Sequence, residues 1–122
     1  MTAIAELKNL DSDALIKIVD GKEDLGREVM QAMVDQLSHE SELLAQLVAD
    51  EDWAQLNYLT NKLCSAAAWC GMAKIKHFSH ELNATVNHHN LAKIPRQLDL
   101  LRDAIDDALA EAANLDFHPN VA

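Results

Sequence analysis

The sequence predicts an all-α protein: an up-down four-helix bundle with a short additional helix on its N-terminal side. Three observations carry this. The 122 residues include only 3 Gly and 2 Pro, too few for the many turns of a β-sandwich or barrel. Hydrophobic residues make up 49% of the chain but aromatic ones 4%, so the core is mostly Leu, Ile, Val, Met and Ala, as in helical bundles. Apolar residues recur at three- and four-residue spacing through four long segments, the periodicity of buried stripes on α-helices.

Residues 1–10 read as a lead-in. Asp11, Ser12 and Asp13 are N-capping residues ahead of a short helix over residues 14–19, which Gly21 ends. The first long helix is expected over about residues 22–48, with Leu25, Val29, Met33, Leu37, Leu44, Leu47 and Val48 facing inward. Glu23, Asp24 and Glu28 sit near its start, where negative charge favours the helix dipole. Met30 and Met33 read as adaptable core fillers rather than a ligand pair. His39, among polar neighbours, reads as solvent-exposed.

Asp50, Glu51 and Asp52 break the pattern, and either aspartate can cap the helix that Trp53 begins. That helix is free of Pro and rich in Ala, and Gly71 ends it. The next spans about residues 72–89 over Ile75, Phe78, Leu82 and Val86, leaving His77, His80 and His88 off the buried stripe. The last begins near residues 91–95, where a proline in the first turn is tolerated, and runs through Leu98, Leu101, Ile105 and Leu109 to about residue 115. Residues 11–115 thus form the bundle and residues 116–122 a tail.

The formal net charge of −10 argues against nucleic acid or an anionic membrane surface as partner. The N-terminal residues lack the basic stretch and apolar run of a signal peptide, and no segment has the length of a membrane span. Cys64 and Cys70 lie six apart on one predicted helix and point in different directions, which disfavours a disulfide and favours a reduced, cytoplasmic protein. Met1 suggests a free-standing chain, and a monomer is expected.

No enzyme site emerges. The chain has neither a Gly-rich phosphate loop nor a Gly-x-Ser-x-Gly elbow, and its carboxylates are spread over outer helix faces. Bundle di-iron sites require paired Glu-x-x-His motifs, and none occurs. His77 and His80 are spaced i, i+3 but point outward, and the two cysteines lack Cys-x-x-Cys spacing. No cofactor and no metal are therefore expected.

The central helix carries the functional signal. A helix turns about 100° per residue. Leu56, Leu59, Leu63, Ala67 and Cys70 then share one face, with Asn57, Asn61, Ser65 and Ala68 opposite. The outer strip is small and uncharged, and Tyr58, Cys64 and Trp69 flank it. A solvated face more often carries Glu and Lys, whereas a smooth, small strip suits close approach by a partner.

In this stretch the chain resembles the active-site helix of histidine-containing phosphotransfer (HPt) domains, and most of all those that end hybrid sensor kinases of the BarA type. The family pattern is His-x-Leu-Lys-Gly, then small residues, then a Gly ten positions after the His. Here Leu63, the small residues Ala66 and Ala67, and Gly71 match, but Asn61 replaces the His, Cys64 the Lys and Ser65 the Gly. Asp52-Trp53 also matches a pair common in the family before the His, and the segment from Asp11 to Leu25 resembles its opening.

The resemblance implies a phosphorelay scaffold without its phosphate acceptor. A carboxamide nitrogen has its lone pair delocalised into the carbonyl, so Asn61 cannot serve as the nucleophile that imidazole provides. Cys64 also removes a positive charge, and Ser65 adds a side chain where the family has none. The expected function is that of a pseudo-HPt protein, not an enzyme. It would bind a response-regulator receiver domain or a hybrid sensor kinase through Asn57, Tyr58, Asn61, Cys64, Ser65, Ala68 and Trp69. The alternative is a helical-bundle interaction module that has left the phosphorelay.

Overall fold

The computed structural model describes residues 23–69 and 71–113. The expected lead-in, the short helix over residues 14–19 and the tail lie outside the described residues. Within them the chain forms four α-helices and no strand: α1 (Glu23–Ala49), α2 (Trp53–Trp69), α3 (Ala73–Asn87) and α4 (Ile94–Ala113). A single turn of 3-10 helix, Leu91–Lys93, leads into α4. Pro95 stands in the first turn of α4, where its missing N–H has no intrahelical partner to lose.

Short links force neighbouring helices to run antiparallel, and the helices close a ring in which α2 packs on α3, α3 on α4, α4 on α1 and α1 on α2. Three of the helix ends turn in the same way. Asp52 N–H bonds to the Leu47 carbonyl at 3.0 Å, Met72 N–H to Ala67 at 2.9 Å, and Asn90 N–H to Thr85 at 3.1 Å. Each bond spans a residue at positive φ: Glu51 at 56°, Gly71 at 68° and His89 at 56°. This is the Schellman closure, which satisfies carbonyls that the helix end leaves open. Only the second uses glycine. Asp52 then caps α2, its Oδ1 accepting from Gln55 N–H at 3.3 Å, so the choice left open between Asp50 and Asp52 falls on Asp52.

The core is aliphatic. Leu44, Leu56, Leu63, Met72, Ile75, Leu82, Ile94, Leu101 and Ile105 are all fully buried. The stripes expected on α2 and α3 are buried across their described residues, and on α4 the stripe gains Ala104 and Ala108 while Leu109 is half-buried.

α1 departs from expectation. Its buried line runs through Met30, Leu37 and Leu44, while Val29, Met33, Leu47 and Val48 are only half-buried. Leu25 is 42% exposed, because α1 has 27 residues against 17 in α2, so its first turns run beyond the end of α2. Two polar residues occupy inward positions instead. Ser41 Oγ accepts from Arg102 Nε of α4 at 3.2 Å. Glu40 faces the other way and pairs with Lys62 of α2 at 3.2 Å.

Candidate functional site

The outer face of α2 is the candidate site. Lys62 is the one charged residue of this helix. Asn61, Ser65 and Ala68 are exposed along it, and Tyr58 projects beside them with 68% of its surface in solvent. Cys64 is a half-buried free thiol at the edge of the strip. Trp69 closes α2; its side chain, like Cys70, lies outside what the structure describes.

Asn57, expected on the open strip, is half-buried at the seam with α3. Its Nδ2 donates to Asn87 Oδ1 at 2.8 Å, and Asn87 Nδ2 donates to Asn83 Oδ1 at 2.9 Å. Asn83 Nδ2 returns to α2, donating to Thr60 Oγ1 at 2.9 Å and lying 3.2 Å from the Asn57 carbonyl. Thr60, fully buried, donates its hydroxyl to the Leu56 carbonyl at 2.9 Å. Three carboxamides and a threonine thus stitch α2 to α3. This network escaped the sequence reading because Asn83 and Asn87 meet Asn57 only once two separate helices are packed. Their i, i+4 spacing was the one local hint.

The opposite flank is a groove of about 260 Å³ between α1 and α2, lined by His39, Leu43, Leu47, Gln55, Tyr58 and Lys62. Lys62 is drawn toward Glu40, whose side chain is only 6% exposed and also accepts from Gln36 Nε2 at 2.9 Å. The residue next to Asn61 therefore has its charge paired with a buried carboxylate. Asn61 stands on an uncharged ledge between the amide seam and this groove. Its carboxamide can donate and accept hydrogen bonds but offers no nucleophilic nitrogen.

His80 is exposed on α3, and His77 is half-buried with its ring edge-on to Phe78 at 5.1 Å. Among the described residues no group of three or more His, Cys, Asp or Glu side chains is placed to hold a metal ion. Nor is any described helix long and apolar enough to cross a membrane.

No protein-family model matches the chain, and no curated protein matches it in sequence. A solved structure does. The crystal structure of the HPt domain from an Hpt sensor hybrid histidine kinase of Shewanella superposes with a TM-score of 0.75, covering 89% of this chain and 94% of that one. At 17% identity this likeness is one of fold: the four-helix bundle is similar to that HPt domain in its architecture.

Proposed function

We propose that this protein is a pseudo-HPt module of two-component signalling, which binds receiver domains of response regulators or of a hybrid kinase without carrying phosphate. The observation that carries the reading is the placement of Asn61. It lies mid-helix on α2, exposed, with the small side chains of Ser65 and Ala68 in the following turns. The surrounding bundle is similar in fold to an HPt domain of a hybrid sensor kinase. Close approach is favoured there, while the group that would accept phosphate is a carboxamide. Binding without transfer lets such a protein sequester a receiver or compete with a phosphate-carrying HPt domain.

Calorimetric titration against receiver domains from the same cell tests this, together with label uptake from a phosphorylated receiver. Saturable binding to one or a few receivers without uptake is the expected result. Ala68→Arg, which places a long charged side chain on the strip, is expected to abolish that binding while the helical circular dichroism is unchanged. Absence of binding to any receiver overturns the proposal and leaves an interaction module of another kind. Label uptake also overturns it, and points to His80 as the exposed imidazole on the adjoining helix.

A further inference from the structure

Charge is unevenly spread over the bundle. α1 carries six carboxylates against Arg27, and α4 carries five against Arg96 and Arg102. α2 has no carboxylate at all, and α3 has Lys74 and Lys76 against Glu81. Among the described helices the carboxylates thus concentrate on α1 and α4, while Asp50, Glu51 and Asp52 lie in the turn that enters α2.

Position sharpens this contrast. Lys76, His80, Asn83 and Asn87 recur at four- and three-residue spacing and so share one stripe of α3. The bonds from Asn83 and Asn87 to Asn57 and Thr60 identify that stripe as the one bordering the outer strip of α2. Lys76 and His80 are both exposed on it. Glu81 lies about 160° around the helix from Asn83. Lys74 is also turned away from the seam, toward α4, where it meets Asp107 at 3.7 Å. The two adjoining stripes therefore hold no carboxylate. Among the described residues Lys76 makes no ion pair, unlike Lys62 and Lys74.

We infer that the partner meets this face with an acidic surface, placing protein carboxylates against Lys76 and His80 as its backbone closes on the small residues around Asn61. The inference rests on the docking reading above and names the chemistry of the partner. An acidic surface is repelled by α1 and α4 and attracted by this one side, so charge selects the orientation before any contact forms. Close packing on Ser65 and Ala68 then supplies what a screened surface charge alone does not.

The test compares wild type with Lys76→Glu and with Lys93→Glu, an exposed lysine in the 3-10 turn. Affinity is measured for the receiver that binds best. Lys76→Glu is expected to weaken binding roughly tenfold at low salt, and Lys93→Glu by less than about twofold. The wild-type affinity is expected to fall as salt rises from about 0.1 M to about 1 M, over which the screening length shrinks from about 10 Å to about 3 Å. A second probe is independent of receivers: a short oligoglutamate peptide, titrated while backbone amide resonances are followed. Shifts confined to Lys76, His80, Asn87 and Ser65 support the acidic partner even where no receiver binds, in which case only the receiver reading falls. A receiver that binds with no salt dependence and tolerates Lys76→Glu overturns the acidic partner and leaves the docking reading standing. No peptide-induced shift on this face likewise overturns it.

Discussion

Lys62 Nζ lies 3.2 Å from Glu40 Oε1, and this pair ties α1 to α2 directly beside Asn61. The two ends of the bridge are unlike: the lysine side chain is 48% exposed and the glutamate 6%. A buried carboxylate that loses its partner keeps its desolvation cost, whereas a half-exposed ammonium that loses its partner regains water.

Removing the lysine is therefore the more damaging change. Lys62→Met is expected to cost about 1–3 kcal/mol, the range for a buried polar group that loses a partner, with Glu40 left only the Gln36 amide. The double variant Lys62→Met with Glu40→Leu is expected to be more stable than Lys62→Met alone, because the buried charge is gone and an apolar side chain of similar bulk takes its place. Urea denaturation of the wild type, the single and the double variant decides this. If the double variant is the least stable of the three, the pair is a net stabiliser, and the assigned asymmetry is wrong.

The amide seam makes a second prediction. Asn83 donates to the Thr60 hydroxyl and accepts from Asn87, so Asn83→Ala removes two bonds of the seam at once, while the Thr60 hydroxyl keeps its bond to the Leu56 carbonyl. A loss of about 1–2 kcal/mol is expected. Asn83 Nδ2 also lies 3.3 Å from Asn57 Oδ1, and both side chains bond Asn87. The double variant Asn57→Ala with Asn83→Ala is therefore expected to fall short of the sum of the singles by about 0.5 kcal/mol or more, on the order found for residues in one network. Strict additivity in a double-mutant cycle would show that the three carboxamides act separately, each satisfied by water.

The shared closure of the helix ends gives a third. Glu51 and His89 hold left-handed backbone at φ 56° without being glycine. Glycine takes that conformation with no Cβ penalty. Glu51→Gly and His89→Gly are each expected to raise stability by about 0.5–1 kcal/mol, and Gly71→Ala to lower it by about 1 kcal/mol. Thermal midpoints measured by circular dichroism give the sign directly. Stabilisation by Gly71→Ala would contradict the geometry of this turn.

What was legible in the sequence follows from what is local. Ile75, Phe78, Leu82 and Val86 announce a buried stripe by spacing alone, and all four are buried. Gly71 announces a helix end because glycine favours the conformation the turn requires. Glu51 and His89 make the same turn with no such mark. α1 was misread at Leu25 because burial there depends on where the shorter α2 stops. It was incomplete at Glu40 and Ser41 because inward polar residues make sense only once Lys62 and Arg102 arrive from other helices. The strip of Asn61, Ser65 and Ala68 could be read from helical winding, whereas its border with Lys76 and His80 needed the packing of α2 on α3.

The last prediction tests the proposed reading of the site itself. If Asn61, Cys64 and Ser65 stand where an HPt domain has its His, Lys and Gly, then restoring all three should restore an acceptor. Asn61→His alone supplies an imidazole without an added cation on the strip to help neutralise the incoming phosphoryl group, Lys62 being paired with Glu40. Cys64→Lys supplies that cation from the edge of the strip, and Ser65→Gly clears the approach. Both positions lie at the surface or its edge, so the fold is expected to survive. The triple variant is expected to take label from a phosphorylated receiver that the wild type binds, Asn61→His alone to take little, and the wild type none. The label should be acid-labile and alkali-stable, as a phosphoramidate is and an acyl phosphate is not. Uptake by Asn61→His equal to that of the triple variant would show that the cation is dispensable and that the imidazole alone was missing. No uptake by the triple variant, with binding intact, would mean that α2 no longer presents residue 61 in line with the receiver's phosphate.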